Sequence, residues 1–255
     1  MKWNAPLTIA RYTVLEAVHN RFGVLLALVM LCGFLGAQFV GALAITESRQ
    51  VQVALLGAFL RLSLVFVVGL FVITSVAREF NDKIVELMFS LPLPRAGYYL
   101  GKLLGYGTVA VLAAVPALLL TLLFTEPAGA LLWGLSLMLE LLLCVAVALL
   151  FSFAFTQVTL AFTLFSGFYL LSRAIEAIRL MAEHPVSPGP GHQWIAGLVE
   201  AIAFLLPDLD RFGRGDWLTY PGFFWTDLAS AGIQTFLYLG LLTGVALFDL
   251  YRRNL

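Results

Sequence analysis

Long apolar runs separated by short polar segments dominate the chain. Six runs are long enough to cross a membrane, at about 22–45, 52–77, 98–124, 128–151, 156–178 and 228–248. A helix needs about 20 apolar residues to span a hydrocarbon core of about 30 Å, and each run has that length. The pattern predicts an all-α polytopic membrane protein, a single transmembrane domain over residues 1–255 with six transmembrane helices.

Two regions outside these runs have patterns of their own. Residues 1–21 interleave charged and apolar positions, which is typical of an amphipathic helix at the membrane surface. Residues 182–227 form a long connection before the last span, and prolines and glycines between 185 and 191 interrupt it. Within this connection the apolar run Gln193–Leu206 is too short to span, so we predict a re-entrant or interfacial helix there.

The most charged short segment, residues 78–97, lies between the second and third spans. Its charges recur at i, i+3, i+4 and i+7, at Glu79, Asp82, Lys83 and Glu86. Apolar residues with similar spacing fill the opposite face, namely Phe80, Ile84, Leu87 and Leu91. The pattern predicts one continuous amphipathic helix that Pro92 and Pro94 end just before Arg95. Such a helix either lies on the membrane surface or docks a soluble partner.

The composition agrees with the predicted spans. Of 255 residues, 61% are hydrophobic and 12% are charged, with a mean hydropathy of +0.96. A soluble domain carries about 25% charged residues, so the chain belongs to the membrane class. Its 15 basic and 15 acidic residues give a net charge of zero, and no nucleic-acid partner is expected.

The distribution of lysine and arginine predicts the orientation. The segments on the side of the N-terminus contain Lys2, Arg11, Arg21, Arg78, Lys83, Arg95, Lys102, Arg252 and Arg253. The segments on the other side contain only Arg49, Arg173, Arg179, Arg211 and Arg214. Because cytoplasmic segments carry an excess of lysine and arginine, both termini and residues 78–97 are predicted to be cytoplasmic, and residues 182–227 extracytoplasmic.

Two charged residues fall inside predicted spans, Arg61 in the second and Glu140 in the fourth. Charges inside a membrane are costly, and they usually face a partner or a cavity. At about 1.5 Å per helical residue, the depths of the two residues differ by about 5 Å, which an arginine side chain can bridge. We therefore predict an intramembrane charged pair, with a substrate or gating role for either residue as the alternative.

The motifs of enzymatic chemistry are missing from the sequence. Gly97–Lys102 approaches a phosphate-binding loop, but it has three residues between its glycines instead of four and no hydroxyl residue after the lysine. No Gly-x-Ser-x-Gly or His-Glu-x-x-His occurs, and His184 and His192 flank a proline- and glycine-rich turn. Cys32 and Cys144 lie in separate apolar runs. We expect no catalytic residue, no metal site and no cofactor in this chain.

Residues 77–102 also contain a series of short motifs. They are Arg78-Glu79, Glu86-Leu87, Leu91-Pro92-Leu93-Pro94-Arg95 and Tyr99-Leu100-Gly101-Lys102. In this order they resemble the cytoplasmic loop between spans two and three of type-2 ABC exporter permeases. A glycine-threonine pair that many members carry before the second glutamate is replaced here by Lys83-Ile84-Val85. The resemblance is specific only in this segment, although the layout of six spans agrees over the whole chain.

This resemblance implies the membrane permease subunit of an ATP-driven exporter, a half-size subunit that forms a homodimer in the bacterial cytoplasmic membrane. Residues 78–97 would then be a coupling helix seated in a separate cytoplasmic ABC ATPase, which binds ATP and Mg²⁺. The residues expected at this contact are Arg78, Glu79, Asp82, Lys83, Glu86 and Arg95. Membrane lipid is a further partner, while an accessory extracytoplasmic protein and the cargo are left open.

Two other classes of function fit the same pattern. An ion-coupled secondary transporter would use Arg61 and Glu140 directly. A membrane-bound assembly or maturation factor would use the coupling scaffold without moving a free solute. The exporter requires ATP hydrolysis for transport, whereas the secondary transporter requires an ion gradient. This difference separates the two.

Overall fold

The computed structural model describes residues 4–43, 48–90, 94–155, 157–183, 192–213, 216–219 and 225–252. Its α-helices are α1 Asn4–His19, α2 Phe22–Leu43, α3 Ser48–Asn81, α4 Ile84–Ser90, α5 Arg95–Leu122, α6 Pro127–Ala154, α7 Val158–Glu183, α8 His192–Leu205, α9 Asp216–Thr219 and α10 Trp225–Arg252. Among the described residues no strand occurs, and six helices are long and apolar enough to cross a membrane. The prediction of an all-α polytopic membrane protein is confirmed.

Helix α6 lies at the centre of the bundle, where it packs against α3, α5, α7 and α10. Small side chains allow α5 to pack closely, and Ala110, Ala113, Ala114 and Ala117 are all fully buried. Small residues at helix contacts are expected in a membrane, because lipid supplies no hydrophobic force between helices and close backbone approach must replace it. The outer helices α2 and α10 expose many large apolar side chains, as lipid-facing helices do.

Helix α1 packs along the first turns of α5. Two glycines permit the close approach: a Cβ atom on Gly101 would lie 2.9 Å from the carbonyl oxygen of Pro6, and one on Gly105 would lie 3.1 Å from that of Ala10. A larger residue at either position would push the backbone of α1 away. The amphipathic helix at the N-terminus is therefore fastened to a span-forming helix.

The charged segment after α3 is not one continuous helix, so that prediction is wrong. α3 ends at Asn81, Lys83 adopts a left-handed backbone conformation with φ of 56°, and α4 begins at Ile84. The amide of Lys83 donates to the carbonyl of Phe80 at 3.1 Å, which closes the last turn of α3. The turn at Lys83 redirects the chain, and Val85 on α4 is fully buried. The four predicted charges consequently do not share one helical face.

The other helices begin and end near the predicted positions, with differences at several ends. α5 begins at Arg95, before the predicted start at Tyr98, and α7 continues to Glu183, beyond the predicted end at 178. α8 occupies nearly the residues of the predicted re-entrant helix, although its depth in the membrane stays a prediction. Residues 91–93, which belong to the predicted proline turn, lie outside the described residues.

Candidate functional site

Two clusters of buried and partly buried polar side chains connect α3 with the neighbouring helices. The Arg61 cluster consists of Arg61, Ser136, Glu140, Tyr169 and Arg173, and it occupies the end of the bundle near α8. The Glu79 cluster consists of Glu16, Ser75, Glu79, Tyr98, Lys102 and Tyr106, and it occupies the opposite end, near α4. Buried polar groups in an apolar bundle need hydrogen-bonded partners, and each cluster supplies them from several helices.

The structure brings Arg61 and Glu140 together. Arg61 on α3 is 3% exposed and Glu140 on α6 is fully buried, and Arg61 Nη1 lies 2.5 Å from Glu140 Oε2. The guanidinium also lies over the indole ring of Trp133, 5.2 Å from its centroid. A role of the Arg61–Glu140 pair in function, in addition to its role in the fold, stays a prediction.

Two residues of α7 complete the contacts of Glu140. The hydroxyl of Tyr169 donates to Glu140 Oε1 at 3.0 Å, and Arg173 Nη1 lies 3.5 Å from the same oxygen. One carboxylate is thus shared by two guanidinium groups from different helices. The pattern of basic residues predicts Arg173 in an outer segment. The sequence signal for its place in this cluster is its spacing of four residues from Tyr169, which puts both side chains on one face of α7.

A backbone segment after α8 docks on the same cluster. Arg61 Nη1 donates to the carbonyl of Phe212 at 2.7 Å, and Ser136 Oγ lies 3.0 Å from that carbonyl oxygen. Arg173 Nη1 lies 3.4 Å from the carbonyl oxygen of Leu209. Leu209 and Phe212 are almost fully buried. The backbone of residues 209–212 therefore turns inward, and two of its carbonyl oxygens become partners of Arg61 and Arg173.

The Glu79 cluster joins α1, α3 and α5. Glu79 accepts from the ammonium of Lys102 in an ion pair and from the hydroxyl of Tyr98 at 2.6 Å. Ser75 Oγ donates to Glu16 Oε1 at 2.7 Å and lies 2.8 Å from the hydroxyl of Tyr106. Because Glu16 belongs to α1, the N-terminal helix is linked to the end of α3 through hydrogen bonds as well as through packing.

The predicted docking residues do not form one group. Glu79 is 13% exposed and forms an ion pair with Lys102 within the protein. Arg95 is half-buried and donates to the carbonyl of Leu250 at 2.7 Å, near the end of α10. Arg78, Asp82 and Lys83 are exposed, and the side chain of Glu86 lies outside what the structure describes. The docking role itself stays a prediction.

No metal centre is formed by the described residues: no three of their His, Cys, Asp or Glu side chains are grouped to hold an ion. His184 lies outside the described residues, as does the side chain of His192. Cys32 is exposed and Cys144 is buried, both as free thiols.

Comparison with known proteins gives the family. A search of curated proteins finds no match. The sequence profile of a family described as "ABC-2 family transporter protein" matches residues 44–242. The match begins before α3 and ends within α10, so it covers more than half of the chain and every member of the two clusters except Glu16. The chain therefore belongs to the ABC-2 transporter family and is a multi-pass membrane permease of an ABC transporter.

Proposed function

We propose that this permease is the membrane-spanning half of an ATP-driven exporter in the bacterial cytoplasmic membrane. It works as a homodimer, with a separate cytoplasmic ABC ATPase that binds ATP and Mg²⁺ docked near α4. Both termini and α4 are cytoplasmic, and α8 is extracytoplasmic, following the excess of lysine and arginine at the α4 end. Family membership supports the transport role, and the course of α3 supports the route of coupling.

The proposed docking surface consists of Arg78, Asp82 and Lys83 at the junction of α3 and α4, together with Ile84 and Leu87 on α4. Glu86 on α4 is included on the basis of its sequence position. The three charged residues at the junction are exposed, and Leu87 is 65% exposed. An exposed leucine beside charged residues is suited to a contact with an apolar centre and a polar rim.

Helix α3 connects this surface with the Arg61 cluster. From Arg61 to Asn81 the helix is unbroken and, at about 1.5 Å per residue, about 30 Å long. A displacement of α4 that α3 transmits would reach the contacts between Arg61, Glu140 and the Phe212 carbonyl. Transport requires that ATP binding favour one arrangement of these helices over another.

The ion-coupled alternative has less support. It needs a side chain that exchanges an ion or a proton with water during the cycle. Glu140 is fully buried and contacts Arg61, Tyr169 and Arg173, which suits a fixed network rather than an exchange site.

The test is charge reversal on the docking segment. In the double variant Asp82→Lys/Glu86→Lys, ATPase activity should become independent of the permease and transport should be lost, while folding and dimerisation persist. The matched control Glu126→Lys/Glu183→Lys makes the same charge change at the opposite end of the bundle and should leave both activities intact. Co-purification of the ATPase and ATP-driven transport at parental levels in the docking variant would refute the proposal.

A further inference from the structure

A cavity of about 400 Å³ opens between α1, α4 and α5. Its walls are mainly apolar, with Ile9 and Tyr12 from α1 facing Ile84 and Met88 from α4. Its polar groups converge on one region, where Glu16, Glu79 and Lys102 lie. A concave apolar space with a few convergent polar groups is the usual form of a small-molecule site, and its volume lies in the range of about 300–1,000 Å³ found for such sites.

The charges in this cavity do not balance. Glu79 and Lys102 form an ion pair and neutralise each other. Glu16 accepts a hydrogen bond from Ser75, and none of the ion pairs formed by the described residues includes it. Among the described residues that line the cavity, two carboxylates and one ammonium leave one negative charge, partly buried beside apolar walls. Such a charge gains most from a cation that brings its own apolar surface.

We propose that this cavity binds a cationic amphiphile, with its ammonium group at Glu16 and its hydrocarbon part against Ile84 and Met88. Tyr12 and Tyr98 also line the cavity, and aromatic rings attract cations. An anionic head group would meet the uncompensated carboxylate, while Lys102 is already paired with Glu79. Charge complementarity therefore selects cations over anions of the same chain length.

Binding at this cavity has a consequence for α4. Ile84 and Met88 belong to α4, so a bound hydrocarbon chain would contact the helix assigned above to ATPase docking. A ligand in the cavity should change the position of α4 and therefore the contact of α4 with the ATPase. This consequence rests on the proposed function, whereas binding itself does not and is measured without the ATPase.

The experiment is calorimetric titration of the permease in phosphatidylcholine nanodiscs, with empty nanodiscs as the blank. The probes are n-octylammonium, n-octanoate and n-octanol, which share chain length and differ in charge. Saturable binding of octylammonium is expected, with octanoate and octanol at least about tenfold weaker, which corresponds to about 1.4 kcal/mol. Equal binding of the three probes, or no saturable binding of octylammonium, would overturn the proposal.

Three variants locate the binding. Glu16→Gln should weaken octylammonium about tenfold, while Asp82→Asn, the same charge change on an exposed residue outside the cavity, should leave it unchanged. Ile84→Trp keeps Glu16 and narrows the apolar part of the cavity, so it should weaken octylammonium binding even if Glu16→Gln does not fold. Parental binding in Ile84→Trp, or equal weakening by Glu16→Gln and Asp82→Asn, would contradict the site. If octylammonium binds as expected but charge reversal at Asp82 and Glu86 leaves ATPase docking unchanged, the proposed function is contradicted and the proposed binding site is not.

Discussion

Removal of the carboxylate at the centre of the Arg61 cluster should destabilise the protein severely. Glu140→Gln keeps the shape of the side chain and an oxygen that Tyr169 can contact, but it removes the counter-charge of Arg61 and Arg173. Arg61 is 3% exposed and cannot regain water, so an uncompensated buried charge should cost about 3–5 kcal/mol. Arg173, with its side chain 32% exposed, adds little because water still reaches it.

The double variant Arg61→Met/Glu140→Met distinguishes the lost ion pair from the lost network. It removes both charges, and Ser136 Oγ remains 3.0 Å from the Phe212 carbonyl oxygen. The remaining loss comes from unpaired neutral groups such as the Tyr169 hydroxyl and should be about 1–3 kcal/mol, smaller than that of Glu140→Gln alone. The reversed pair, Arg61→Glu/Glu140→Arg, should not recover stability, because a carboxylate at 61 would face the Phe212 carbonyl and an arginine at 140 would face Arg173.

Thermal unfolding of the purified protein in one detergent, followed by tryptophan fluorescence, measures these differences. At about 2–4 °C per kcal/mol for a chain of this size, Glu140→Gln should lower the midpoint by about 6–20 °C. The control Glu183→Gln removes a surface carboxylate paired with Arg179 and should cost less than about 1 kcal/mol. A parental midpoint for Glu140→Gln, or full recovery in the reversed pair, would refute the assignment of Arg61, Glu140, Arg173 and the Phe212 carbonyl to one interdependent network.

Two further predictions concern the α4 end of the bundle and the orientation of the chain. Glu79→Gln removes the ion-pair partner of Lys102, whose side chain is 6% exposed, and should cost about 1–3 kcal/mol in the same unfolding assay, whereas Asp82→Asn should be neutral. Equal midpoints for the two variants would contradict the structural role of Glu79. In a Cys32→Ala background, Asp82→Cys should react with an impermeant maleimide only from the cytoplasmic side and Glu183→Cys only from outside; reaction of both from one side would exclude the proposed topology.

Helix positions and the central charges were predictable from the sequence for simple reasons. A span needs length and an absence of charge, and both are visible in the chain. Arg61 and Glu140 stand out because a charge inside an apolar run is rare and costly. Their partner at Phe212 was not predictable in the same way, because the group that accepts from Arg61 is a backbone carbonyl, which every residue possesses.

The junction at Lys83 escaped prediction because the helical spacing of charged and apolar positions runs through it. The local signal for a turn is Asn81-Asp82, since both residue types favour turns over helix interiors. A left-handed lysine costs about 1–2 kcal/mol, which tertiary contacts must offset. Glu79 is held inward by Lys102, and Val85 is fully buried beyond the turn. The Glu79 cluster did leave a sequence signal, since Tyr98, Lys102 and Tyr106 recur every four residues on one face of α5.

The two clusters restrain the same side of α3. At about 100° per residue, Arg61 and Glu79 point in nearly the same direction, and Ser75 lies within about 40° of them. This face is attached to α6 through Glu140 and to α5 through Lys102, so α3 is fixed near its middle and near its C-terminal end to helices that pack against each other. The turn at Lys83 lies beyond the last attachment, between α3 and the exposed surface of α4. A force applied to α4 must therefore either bend this turn or move α3 together with α5 and α6, and only the second response reaches the Arg61 cluster.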